Sequence, residues 1–177
     1  MGQYFIPVFL NDAGAIVHAL DPSDYGAGNK ISGHTRADTA LLRAVLTLLN
    51  LDGALRLVWA GDYAQPRPGH DANLYFLTEP AHFRRIATLV CCDVEPNAAL
   101  PQSPPACAAG YVCNLDKRQY LDNSTLPVDD SGWRRTPLPL LTADGGPLPN
   151  DSYRPLWAGD RLHYSRRHPG SHWTAVT

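Results

Sequence analysis

Ala37-Asp38-Thr39-Ala40-Leu41-Leu42-Arg43-Ala44-Val45-Leu46-Thr47-Leu48-Leu49 is the stretch that decides the fold. Ala37, Ala40, Leu41, Ala44, Val45, Leu48 and Leu49 recur at i, i+3, i+4, the period of a helix. Leu42 and Leu46 widen the apolar stripe, so burial is expected on more than one side. Thr35 offers a capping hydroxyl with Asp38 three residues on, close to a capping box, and Gly53 lies beyond the far end. The spacing predicts one main buried helix over about 38–50.

Strand signals surround it. Residues 4–10 and 15–20 are β-prone runs about Asn11-Asp12-Ala13-Gly14, a hairpin pattern. Pro7 within the first run argues for an edge strand or a bulge. Residues 54–60 and 73–77 read as strands, 79–85 as a short helix with Pro80 in its first turn, and 86–92 as a central strand. After a proline-rich connector at 95–105, residues 110–114 and 119–122 form a second hairpin about Leu115-Asp116-Lys117-Arg118. Residues 123–155 read as irregular, with only 138–141 apolar; 156–167 read as a short strand pair, and 166–177 as a surface tail. The expected fold is α+β, a single domain over 1–177 with a mostly antiparallel sheet and long Pro/Gly-rich loops.

Composition narrows the function. With 44% hydrophobic and 18% charged residues the chain has a globular balance rather than a disordered one. Net charge is −2, and the six Arg against three Asp after residue 132 are too slight an excess for a nucleic-acid face. The start shows no basic segment leading into an apolar core, and the apolar stretch at 37–49 is too short to span a bilayer, so a cytoplasmic protein with no membrane association is expected. Cys91, Cys92, Cys107 and Cys113 form no zinc-type pairs, so they are expected to be buried thiols; a Cys107–Cys113 bridge would need an oxidising compartment.

Trp59-Ala60-Gly61-Asp62 recurs as Trp157-Ala158-Gly159-Asp160, and Leu20-Asp21 as Leu121-Asp122. Two anchors at nearly equal offsets suggest a decayed duplication with half-repeats 1–92 and 108–165. These segments, with Met1-Gly2-Gln3-Tyr4, the 20–28 loop and Asn114-Leu115-Asp116-Lys117-Arg118-Gln119-Tyr120-Leu121-Asp122, resemble an uncharacterised family of small proteins. Its members typically begin Met-Gly-Gln-Tyr-Tyr and carry an Asn-Leu-Asp-Lys hairpin before a Gly-containing loop. The resemblance covers about half of the chain and departs in order, since the Asn-Leu-Asp-Lys segment lies here in the second half. It implies a compact fold and no activity.

Candidate chemistry gathers at the 21–34 loop. Gly26, Gly28 and Lys30 before a helix could cradle an anion with backbone N–H groups, although neither the dinucleotide nor the Walker spacing is matched. His18, Asp24, His34 and Asp62 are the candidate acid–base residues, at expected strand ends. Of His163, His168 and His172, spaced five and four apart, the second pair could share a helical face, but Pro169 and Gly170 break it, so no metal is expected, and no cofactor. The Trp-Ala-Gly-Asp segments are expected to be structural turns with buried Trp; alternatively Trp157, Arg161, Arg166 and Trp173 form a contact surface. The reading favoured is a non-enzymatic interaction or structural module, binding a protein partner or itself through edges such as 4–10. The alternative is a small enzyme or ligand-binding domain using the 21–34 loop.

Overall fold

The computed structural model describes residues 3–86, 110–145 and 156–176. In chain order these form β1 (Phe5–Leu10), β2 (Ile16–Ala19), α1 (Ile31–His34), α2 (Ala40–Leu51), β3 (Leu55–Gly61) and α3 (Leu74–Leu77). Then follow β4 (Tyr111–Asn114), β5 (Gln119–Asp122), α4 (Leu138–Leu141), β6 (Ala143–Asp144), β7 (Arg161–Ser165) and β8 (Thr174–Ala175). Single 3-10 turns occupy Pro22–Tyr25, Pro80–His82 and Asn123–Thr125. The described strands make one sheet in the order β2-β1-β3-β7-β4-β5-β8, with β6 paired to β3. All pairings are antiparallel except β3–β6 and β5–β8. The fold is α+β.

Helix α2 is the keystone of the larger core. Leu41, Leu42, Ala44, Val45, Leu46, Leu48 and Leu49 are buried, packed with Phe9, Leu57, Trp59, Leu162 and Tyr164 of the sheet and with Leu126, Leu138 and Leu141. So the wide stripe seen in the sequence is covered from two sides. The helix starts later than the capping pattern suggested. Thr39 is the N-cap, its Oγ1 accepting from the Leu42 N–H at 3.4 Å, whereas the Thr35 hydroxyl donates to the Ser32 carbonyl at 2.9 Å. Residues 31–34 use their apolar and small side chains in a separate turn, α1. Thr39→Ala should cost about 1 kcal/mol, read from the urea midpoint; Thr35→Ala should leave the helix start untouched.

The other face of β1 and β3 is also covered. Ile6, Val8, Leu10, Val58 and Ala60 pack beneath Leu74 of α3, with Ile16, Tyr75 and Phe83 beside them. Strand β1 is therefore interior, paired on both sides, and the expected free edge at 4–10 does not exist. Pro7 fits because it faces Trp59, whose N–H points away to the Thr142 carbonyl at 2.8 Å, so this pair exchanges no hydrogen bonds. Its missing N–H falls past the end of β2, where the ladder needs no donor. The register shift expected of a bulge occurs between Phe9 and Leu10.

Three further expectations differ. Residues 73–77 are a helical turn, not a strand, because Asn73 caps it: Oδ1 accepts from the Phe76 N–H at 3.1 Å while Nδ2 donates to the Asp62 and Ala64 carbonyls. Residues 156–167 hold one strand; Trp157–Asp160 is a turn closed by the Asp160 N–H on the Trp157 carbonyl at 3.0 Å. The C-terminal segment is not a free tail, since Thr174 and Ala175 pair with Gln119 and Tyr120. The hairpin at 110–122 is as expected; the short helix expected over 79–85 is reduced to the 3-10 turn Pro80–His82, because Phe83 bridges to Ala19. The strand expected at 86–92 and the connector at 95–105 lie outside the described residues, Ile86 excepted.

Candidate functional site

The residues singled out for chemistry are each bound into the framework. His34 is fully buried; its Nε2–H donates to the Gly28 carbonyl at 2.6 Å and its Nδ1 accepts from Trp59 Nε1–H at 2.9 Å. Burial pushes its pKa down, opposed by the Gly28 bond. His18 bonds Asp52 through Nε2 at 2.7 Å and accepts from Arg84 Nε–H through Nδ1 at 3.1 Å. Asp24 accepts from Arg85 at 2.5 Å, and Asp62 accepts from the Tyr4 N–H at 3.0 Å. His18 and Asp24 thus meet one stretch, Arg84-Arg85, but His34 sits under the 28–34 loop and Asp62 at the start of β1. The four do not converge on one cleft.

The glycine loop does not lead directly onto the main helix. Gly26 is the left-handed cap (φ 67°) of the Pro22–Tyr25 turn, Gly28 is held by His34, and Lys30 precedes the four-residue α1 rather than α2. Among the described residues no group of three or more His, Cys, Asp or Glu could hold a metal ion. His168 bonds the Tyr120 hydroxyl at 3.1 Å and accepts from the Gly170 N–H. Cys113 is buried and its thiol is pushed up to about 11 by that burial, so it stays protonated. Cys91, Cys92 and Cys107 lie outside the described residues.

The two recurrent motifs of the second half are a mutual lock. Asn114 Oδ1 caps the β4–β5 turn, accepting from the Asp116 and Lys117 N–H groups, while its Nδ2 donates to Asp160 at 2.7 Å. Lys117 donates to Asp160 and to the Leu156 carbonyl. Asp116 accepts from Arg161 Nε–H at 2.7 Å and from its backbone N–H at 2.9 Å, and Trp157 Nε1–H donates to Gln119 Oε1 at 2.8 Å. Desolvation works against the Asp116 charge, but the Arg161 bonds and the Arg56 charge outweigh it and hold its pKa down. Trp157 is fully buried, so it is not a surface contact residue; Arg161, its side chain 39% exposed, is paired with Asp116. Arg166 is exposed and Trp173 half-buried on the C-terminal segment. Trp59 and Trp157 both end buried, but Trp59 lies in β3 while Gly159 turns at φ 80°. Asp160→Asn should destabilise by about 1–2 kcal/mol in chemical denaturation, since it keeps the Asn114 contact and loses the charge on Lys117.

A groove of about 570 Å³ lies between β5, α4 and the C-terminal segment. Leu121, Leu126, Pro127, Pro137, Leu140 and Val176 line its apolar walls. Pro127 and Ala175 are exposed, so it is open along one side. Arg135 is among the lining residues; its Nε–H donates to Asp129 at 2.6 Å and its Nη1 donates to Thr35 Oγ1 at 3.0 Å. The Asp129 pKa is held down by the Trp133 N–H bond first and by Arg135 and Ser131 after it. Asp122, also in the lining, caps its own turn, accepting from Ser124 N–H and Oγ–H.

No family model, curated protein or solved structure matches the chain. The groove's chemistry therefore stands on its own residues: an apolar lining with a few polar groups among it. Its hydroxyls are engaged, Thr35 to Ser32 and Thr125 to Asp122. The sequence carried no signal for this groove, because its walls come from separated segments around 35, 121–127, 135–140 and 175–176. Among them only the 138–141 run stood out as apolar.

Proposed function

We propose that this protein is a non-enzymatic binding module that receives apolar side chains of a partner polypeptide. The observation that carries the reading is the apolar groove of about 570 Å³, within the ~300–1,000 Å³ range of binding sites. Partner addition at a strand edge has less support. At one edge Ala19 already accepts from the Arg84 N–H, and at the other β8 occupies Gln119 and Tyr120. Catalysis at the 21–34 loop has less support too, because His18, Asp24, His34 and Asp62 are each committed to separate structural partners.

Methyl NMR tests this. Titrating N-acetyl leucine, phenylalanine and tryptophan amides should give saturating shifts at the methyls of Leu121, Leu126, Leu140 and Val176. Leu140→Glu, at a half-buried position, should abolish the shifts while the remaining spectrum is kept. Saturating shifts confined to residues 18–34, untouched by Leu140→Glu, would transfer the site to the glycine loop.

A further inference from the structure

The groove's rim narrows the class of partner, an inference that rests on the binding reading above. Residues 127–135 fold back on themselves through the Val128–Arg134 bridge and pair with the 35–37 segment through the Arg36–Arg135 bridge. The Ala37 N–H donates to the Arg134 carbonyl at 3.0 Å and the Thr136 N–H to the Thr35 carbonyl at 2.8 Å. Bridge partners project to one face of such a ribbon, and so do residues two apart. Arg36, Arg135 and Trp133 therefore share a face, and Arg135 lines the groove.

The three side chains differ in what occupies them. Arg135 is neutralised by Asp129. Arg36 lies over the Trp133 ring, its guanidinium carbon 4.7 Å from the centroid, and has no carboxylate partner among the described residues. Trp133 remains 42% exposed, so apolar surface lies beside Arg36 on the face that Arg135 shares. A guanidinium stacked on an indole is held in orientation while its N–H fork stays open to a carboxylate. The groove lining also includes the Asp122 carboxylate, which is engaged by the Ser124 N–H and hydroxyl.

We propose that the groove and the Arg36–Trp133 stack together dock a polypeptide segment bearing adjacent apolar side chains followed by an acidic residue, the carboxylate meeting Arg36. A polypeptide suits the site because it can present apolar side chains to the groove walls and a carboxylate to Arg36, whose bridge partner Arg135 lines the groove.

The test uses the full chain and three peptides, acetyl-Leu-Leu-Glu-amide, acetyl-Leu-Leu-Gln-amide and acetyl-Leu-Leu-Lys-amide, with decanoate as a fourth probe. Binding is read from the Leu140 and Val176 methyls and from the Trp133 indole resonance. The Glu peptide should bind about fivefold more tightly than the Gln peptide and more tightly still than the Lys peptide. Raising salt should erase the difference. Arg36→Gln, an exposed position, should make the Glu and Gln peptides equal without loss of the methyl shifts. Methyl shifts with equal affinity for all three peptides would overturn the acidic preference while leaving the groove reading intact. No methyl shift with any probe would overturn the groove reading itself. Saturation by decanoate with no peptide binding would assign the groove to an amphipathic carboxylate and overturn the polypeptide.

Discussion

Gly110→Ala is expected to lower stability by about 3–5 kcal/mol. Gly110 has φ +140°, a region that side chains rarely enter, which costs about 1–3 kcal/mol for a non-glycine residue. The added Cβ would also lie 2.6 Å from Cζ and 2.8 Å from Cε2 of Tyr164. That ring is 1% exposed and packed into the core beside α2, so it cannot swing aside, and overpacking adds a comparable cost. The Gly110 carbonyl also accepts from the Asn123 N–H at 3.0 Å, tying the start of β4 to the turn that floors the groove. Gly132→Ala is the control: its φ is +80° but nothing lies within 4 Å of the added carbon. Chemical denaturation should show the control losing about 1 kcal/mol, the backbone part alone. Equal losses at the two positions would mean that the Tyr164 packing is not as described.

His34→Ala should cost about 2–4 kcal/mol and change how stability depends on pH. The imidazole is fully buried and joins the 28–34 loop to Trp59 in β3. Its removal leaves the Trp59 indole N–H without an acceptor in the core. The same geometry fixes the tautomer: Nε2 carries the proton given to Gly28, and Nδ1 must stay bare to accept from Trp59. Protonation is therefore disfavoured in the fold, and burial lowers the pKa below the ordinary value of about 6.5. Because the unfolded chain takes up this proton first as pH falls, His34 contributes its stability fully above about pH 6.5. That contribution declines below 6.5 and levels off once pH passes the folded pKa. The difference between wild type and His34→Gln in urea midpoints should accordingly shrink from pH 7.5 towards pH 5. A difference that stays constant over that range would show that His34 titrates alike in both states.

Periodicity carried the fold where one side chain pattern had one solution. The 37–49 stripe could only bury itself as a helix, and the two hairpins were marked by turn residues at 11–14 and 115–118. Where local pattern and tertiary contact compete, the sequence was ambiguous. Residues 73–77 look β-prone, yet the Asn73 amide anchored on Asp62 and Ala64 winds them into a turn. Pro7 looks like an edge marker, yet strand pairing hides its missing donor. Thr35 has cap chemistry, yet its segment 35–37 docks against 134–136 and Thr39 caps the helix instead.

The site was less legible than the fold, for a physical reason. His18, Asp24, His34 and Asp62 drew attention as residue types that do chemistry, but the same groups satisfy buried or turn backbone, and residue type does not distinguish the two uses. Likewise Trp157, Arg161, Asp116 and Lys117 form repeated, polar-rich motifs whose work is to hold one another. The groove depends on aliphatic residues brought together from distant segments, which no local pattern encodes. Arg36 and Trp133, 97 positions apart, meet only because the 127–135 ribbon pairs with residues 35–37.

The central claim, that the groove is where this protein meets a partner polypeptide, is tested most directly by native mass spectrometry on gently purified, untagged protein, wild type beside Leu140→Glu. Wild type should carry a polypeptide mass that the folded variant lacks. The same associated mass on both proteins, or a stoichiometric small-molecule mass indifferent to Leu140, would contradict the account.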